Sequence, residues 1–168
     1  MGILWFDGTE YDFLSNFYPS PIVWNGKTYA TVEHAYQAAK AVSEEDHELV
    51  RLRPTPGQAK RAGRSIPLRS DWDKGTPTDV QPRITVMREL LRLKFSHALL
   101  RNRLLSTGTQ VLVEGNDWHD VFWGKCHCRT HRGRGENWLG VLLMSRRDAL
   151  RLSVMHSPEP TIEERTHE

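Results

Sequence analysis

"SNFYPSPIVWNGKTYATVEHAYQAAKA", residues 15–41, decides how this chain folds. Residues 22–24 and 27–29 flank Asn25-Gly26. That dipeptide is the strongest local hairpin signal, because both residues tolerate positive φ. Thr31 then caps a predicted helix whose first turn holds Glu33, where a carboxylate suits the helix dipole. Ala35, Ala38, Ala39 and Val42 share one side of it, a small-residue face suited to close packing. Glu33, Tyr36, Gln37 and Lys40 fall at i, i+3, i+4 and i+7 and form a second stripe. A hairpin feeding directly into a helix sets the expectation of an α+β domain.

Working outward, residues 3–6 read as a short strand closed by Asp7-Gly8, and residues 110–114 as another. Short helices are expected over 44–53 and 56–64, separated by Pro54 and Pro56. A longer one is expected over about 82–100, with Met87, Leu90, Leu91, Phe95 and Ala98 as its buried stripe. Lys94 sits inside that stripe, which is unusual. A last helix over about 138–152 buries Leu139, Leu142, Leu143 and Leu150. Helices outnumber strands, so the expected fold is mainly α, an α+β domain with small β-hairpins.

The chain has 168 residues, the size of one domain. Its 38% hydrophobic and 26% charged content is that of an ordinary soluble protein. With 23 basic against 21 acidic residues, the net charge of +2 gives no strong global field for nucleic acid or membrane. No apolar run reaches the roughly 18 residues of a spanning helix. The amino terminus has no signal-peptide pattern, and two cysteines one residue apart exclude a long-range disulfide framework. A cytoplasmic protein without membrane contact is expected. No repeat of solenoid length occurs. A single domain over 1–153 and a flexible tail over 154–168, rich in proline and charge, complete the expected organisation.

Four constellations could carry chemistry. Glu33 and Lys40 suit a surface ion pair. They also suit a pocket in which burial frees the lysine amine for Schiff-base formation while Glu33 moves protons. "SDWDKGT", residues 70–76, sets Trp72 between acids, either folded over the core edge or stacking on a heterocycle. "EGNDWHDVFWG", residues 114–124, gathers Glu114, Asp117, Asp120, Trp118 and Trp123, the acid and ring complement of a glycoside-cleaving site. "KCHCRTHRGRGEN", residues 125–137, holds Cys126, His127, Cys128 and His131. The Cys-x-Cys spacing with one His-x-x-x-His falls short of a standard zinc finger, and adjacent ligands strain tetrahedral geometry. No metal and no cofactor are expected. Arg129, Arg132 and Arg134 form either a solvated loop or a phosphate grip.

Together these stretches resemble the YbiA-like, or NADAR, family. The resemblance runs through "FLSNFYPSPIVWNGKTYATVEHAYQAAKA", "AKRAGRSIPLRSDWD", "MRELLRLKFSHALLRNRLLSTGTQVLVEGNDWHDVFWG" and "GENWLGVLLMSRRDAL" in order. It implies a compact, mainly helical fold and N-glycosidase activity. One branch of the family acts on ribosylamino-pyrimidine 5-phosphates of early riboflavin synthesis. Another removes ADP-ribose from guanine in nucleic acid, sometimes as the antitoxin of a DNA-modifying transferase. Glu33 matches the family's "EH" glutamate and Lys40 the lysine closing that motif. Asn16 and Phe17 match "SNF"; Lys60, Gly63 and Arg64 match "AK-x-x-GR"; Trp72 matches the tryptophan that follows. Asp120, Trp123 and Gly124 match "D-x-x-WG", and Asn137 with Gly140 "N-x-LG". The chain departs from the family at 125–135, usually glycine-rich.

On this resemblance Glu33, Lys40 and Asp120 are the expected catalytic residues. Trp72 and Trp123 would bracket the base or ribose beside Tyr36, Gln37, Asn16 and Phe17. Asp120 and Asn137 would hold sugar hydroxyls, and Lys60, Arg64 or the arginine loop the 5′-phosphate. The expected substrate is a small N-riboside 5-phosphate. ADP-ribosylated guanine, with nucleic acid as partner, is the alternative, and a noncatalytic ADP-ribose or nucleotide sensor a distant third.

Overall fold

Asn25 and Gly26 adopt φ of 50° and 76° and close a hairpin between β2 (Ile22–Trp24) and β3 (Lys27–Tyr29), with Ile22 opposite Tyr29 and Trp24 opposite Lys27. The computed structural model describes residues 2–74 and 81–155. Two further pairs of two-residue strands are parallel rather than hairpins. One joins β1 (Gly2–Ile3) to β4 (Val111–Leu112), and the other β5 (Gly115–Asn116) to β6 (Lys125–Cys126). The expected strands at 3–6 and 110–114 thus shrink to these short pairs.

Six α-helices among the described residues supply the bulk, confirming a mainly helical α+β domain. They are α1 (Val32–Ala38), α2 (Glu44–Arg51), α3 (Pro56–Ala62), α4 (Pro82–Lys94), α5 (Ala98–Ser106) and α6 (Trp138–Met155). Hydroxyl caps start the first three: Thr31 accepts from the His34 N–H, Ser43 from Asp46 and Thr55 from Gln58. The core gathers Phe6, Leu14, Tyr29, Val32, Leu91, Phe95 and Leu143, all buried. Helix α1 lies in its middle, every residue buried. No helix among the described residues is long and apolar enough to cross a membrane.

Two helix readings need correction. The helix expected over 82–100 breaks after Lys94, and Ala98 is exposed. Phe95 stays buried as the C-cap, the Ser96 hydroxyl turns back to the Leu93 carbonyl at 2.7 Å, and His97 becomes extended. The His97 ring then reaches the Pro21 carbonyl at 3.0 Å, which fixes the break against the hairpin region. Helix α1 also ends earlier than expected. Lys40 N–H bonds the Gln37 carbonyl at 3.3 Å in a tightened last turn, and Ala41 pairs with Leu68. Lys40 therefore lies just past the helix, and Val42 is exposed rather than on the alanine face. Of the expected tail over 154–168, the first two residues belong to α6, which ends at Met155, and the rest lies outside the described residues.

Candidate active site

Glu33 is 5% exposed, an extreme position for a carboxylate. Its backbone N–H bonds the Asn16 carbonyl at 3.0 Å, which ties the 15–17 segment to α1. One turn on, Gln37 Nε2 donates to Glu33 Oε1 at 2.7 Å. Lys40 follows with its Nζ 5.1 Å from the Tyr36 ring centroid. Helix α3 runs alongside, and Gly63 at its end lets it approach closely, since a Cβ there would collide with the Gln37 side chain. Lys60 from α3 lies 5.4 Å from the Phe17 ring centroid and 5.6 Å from that of Trp118. These groups enclose a cavity of about 590 Å³, within the usual range for small-molecule sites.

The opposite wall is the segment from Glu114 to Trp123. The Asp120 Oδ1 accepts the N–H groups of Phe122 and Trp123 at 3.0 and 2.8 Å. Asn116 brackets the same turn, donating to the Asp120 carbonyl at 2.8 Å. Trp123 meets Tyr36 edge-on, with ring centroids 5.3 Å apart. Asn137, at φ of 59°, accepts the Glu114 N–H at 3.0 Å and donates to the Leu112 carbonyl at 2.9 Å.

The expected site residues line the cavity except Trp72, Gly124 and Asn137, and of the candidate phosphate groups Lys60 and Arg64 line it while Arg129, Arg132 and Arg134 do not. Trp72 is buried and packs on Tyr36, with ring centroids 5.2 Å apart. Gly124 is a close-approach point, because a Cβ would strike the Glu114 carbonyl and the Asn116 amide. Asn137 ties the Glu114 and Leu112 backbones together. Asp7, Ser15, Glu114 and Trp118 also line the cavity. Glu114 and Trp118 lie in the acid–aromatic run, so that run was a usable signal; Asp7 read only as a turn residue.

Burial dominates the electrostatics. It raises the Glu33 pKa, opposed by Lys60, the Gln37 hydrogen bond, Lys40 and Arg64. It lowers Lys40 to about 8, opposed by Glu33 and helped by Arg64 and Lys60. Glu114 rises to about 8 through burial and the charges of Asp7 and Asp120. Burial also pushes the Tyr36 phenol well above its ordinary range. Lys94, fully buried, falls to about 7 through desolvation, against the pull of Glu114, while its Nζ donates to the Ser15 carbonyl at 2.7 Å. The Asn16 Oδ1 and the Glu114 Oε2 are buried acceptors with no hydrogen-bond partner among the described residues.

A desolvated amine, a buried carboxyl and the Lys60 and Arg64 side chains around one cavity can support acid–base chemistry on a small molecule. The chain belongs to the NADAR family, whose domain it matches over residues 4–151. It is 40% identical over 144 residues to the N-glycosidase YbiA of Escherichia coli, covering 84% of this chain and 82% of that protein. An N-glycosidase of Nostoc punctiforme is 40% identical over 147 residues, covering 84% and 86%. The riboflavin biosynthesis protein PYRR of Zea mays, chloroplastic, is 37% identical over 163 residues, or 86% of this chain and 24% of the plant protein. The NMR structure of Escherichia coli YbiA superposes with a TM-score of 0.75 at 36% identity, covering 92% of this chain and 86% of that one. The protein is an enzyme of the N-glycosyl hydrolase type.

Proposed function

We propose that this protein hydrolyses the C1′–N bond of ribosylamino-pyrimidine 5-phosphates, with Lys40 as nucleophile and Glu33 as proton carrier. The observation that carries the reading is Lys40, depressed to about 8 inside the cavity that also holds Glu33. The riboflavin role in the name of the maize relative supports the substrate class.

In an N-riboside whose amine is exocyclic, the nitrogen lone pair opens the ring to an imine at C1′. Glu33, favoured in its protonated form by burial, gives its proton to the ring oxygen. The neutral Lys40 amine adds to C1′, and Glu33 takes back a proton from the adduct. That proton then goes to the departing pyrimidine amine. Expulsion of this amine leaves a lysine–sugar Schiff base. Water adds to it with Glu33 as base, and collapse releases ribose 5-phosphate and the free Lys40 amine. Lys60 and Arg64 hold the phosphate. The orphaned Asn16 Oδ1 accepts a sugar hydroxyl, Trp123 and Tyr36 wall the base, and Trp72 supports Tyr36 from behind. Asp120 shapes the wall through its turn and leaves one oxygen for a sugar hydroxyl.

Borohydride added during turnover tests this directly. A reduced sugar phosphate adduct on Lys40, absent in Glu33→Gln, is expected. Full turnover with no adduct would instead support direct displacement by water through an oxocarbenium ion. ADP-ribosylated guanine is the other substrate to assay, since the same acid and amine would serve it.

A further inference from the structure

His119, Cys126, Cys128 and His131 come together although the sequence spacing gave no finger motif. One ligating atom from each lies within 4.8 Å of the others. The His119 and His131 Nδ1 atoms are 3.4 Å apart, and they stand 3.4 and 3.2 Å from the Cys128 Sγ. Zinc–nitrogen bonds of about 2.0–2.1 Å and zinc–sulfur bonds of about 2.3 Å, at tetrahedral angles, give separations of about 3.4 Å between nitrogens and about 3.5 Å from nitrogen to sulfur. The contacts agree with those values.

Protons cannot make all three sides of this triangle hydrogen bonds. A neutral imidazole nitrogen either donates or accepts, and the thiol has one hydrogen, so three mutual contacts cannot all be hydrogen bonds. A cation among them satisfies every lone pair at once. The backbone fits the same reading. The His131 N–H donates to the Cys128 Sγ at 3.4 Å, and the Arg132 N–H bonds the Cys128 carbonyl at 2.9 Å in a tight knuckle. Arg132 and Gly133 at φ of 50° and 82° turn the chain so that Arg134 pairs with Cys126. Cys126 is fully buried, at the end of β6. His119 has φ of 70°, a conformation that a non-glycine residue adopts readily only when held.

We infer that these four residues bind one zinc ion, a structural centre that fastens the cavity wall. The two sulfur and two nitrogen ligands select zinc over magnesium or calcium, and four protein ligands leave no open position for catalysis. His119 lies between Trp118 and Asp120, both cavity-lining. The metal thus anchors that wall to the 126–134 loop. His127, between the cysteines, is no ligand; its ring packs against Trp5 at 5.5 Å.

Elemental analysis of the purified full chain, expressed with zinc supplied, should find about one zinc per chain. Cobalt substitution should give the visible bands of a tetrahedral site with a thiolate charge-transfer band. Cys128→Ser and His119→Ala should lose the metal, while His127→Ala keeps it. Because the cysteine variant could fail to fold, the unaltered chain decides. Less than about 0.1 zinc per chain, with no tetrahedral cobalt spectrum on titration, overturns the inference. So does full metal content in both ligand variants. Chelation of the holoprotein should lower its Tm and change tryptophan fluorescence; an unchanged Tm on complete zinc removal contradicts the structural role.

Discussion

Replacing Lys40 with arginine keeps a cation beside Glu33 but removes any free amine, because guanidinium stays charged at every accessible pH. The size of the effect follows from burial. With a pKa near 8, about one Lys40 in eleven is neutral at pH 7, against about one in 3,000 at the ordinary 10.5. The cavity thus raises the nucleophilic fraction roughly 300-fold, a gain that Lys40→Arg forfeits along with the amine itself. Steady-state kinetics on a ribosylamino-pyrimidine 5-phosphate should show kcat down by at least about 10³-fold. KM should change much less, since the charge facing the substrate survives. In the unaltered enzyme kcat should rise with pH through about 8 as the Lys40 amine loses its proton, and Lys40→Arg should remove that rise. A Lys40→Arg enzyme retaining more than about a tenth of kcat would refute the covalent route and leave Lys40 an electrostatic role.

Lys60→Ala and Arg64→Ala should each raise KM for a phosphorylated substrate by about 10-fold or more, with little change for the dephosphorylated riboside; equal effects on both would remove the phosphate role. Asn137→Ala should destabilise the fold by about 2–4 kcal/mol in urea unfolding, because the Glu114 N–H and the Leu112 carbonyl lose their partner in a buried site; a change below about 0.5 kcal/mol would contradict it. Lys94 tests the pH dependence of stability. Between about pH 7 and 10.5 the unfolded chain holds a Lys94 proton that the folded chain lacks, so this group's contribution rises with pH across that window and is lowest below 7. The stability of Lys94→Met relative to the unaltered chain should therefore decline from pH 7 to 9, and a constant difference would show that Lys94 does not titrate in the folded state.

Local signals carried most of the fold. Asn25-Gly26 marked the hairpin, Thr31 marked the start of α1, and the leucines of α6 marked its buried face; the Ser43 and Thr55 caps were not read from the sequence. What periodicity missed were events decided by tertiary contact. Phe95 is buried as its place in the stripe implied, but the break after Lys94 depends on His97 finding Pro21, which no helical pattern shows. The parallel pairing of β1 with β4 joins segments more than a hundred residues apart, which no local rule reaches. The site was legible where residues share one helix, as Glu33, Tyr36 and Gln37 do. It was harder to read where the fold supplies the neighbour. Glu114 faces Lys94 electrostatically only because α4 and the 114–123 wall meet. His119 completes the Cys/His group only because the loop doubles back at Arg132 and Gly133. Trp72, Gly124 and Asn137 matched site motifs, yet their contacts put them behind the wall, where they support it.

The most direct test of the central claim is mass spectrometry of the purified enzyme with the 6-ribosylamino-pyrimidinone 5-phosphate. Equimolar ribose 5-phosphate and free aminopyrimidine, abolished in Glu33→Gln, is the expected result. Intact substrate in the presence of folded protein would contradict the assignment of this riboside and shift it to ADP-ribosylated guanine.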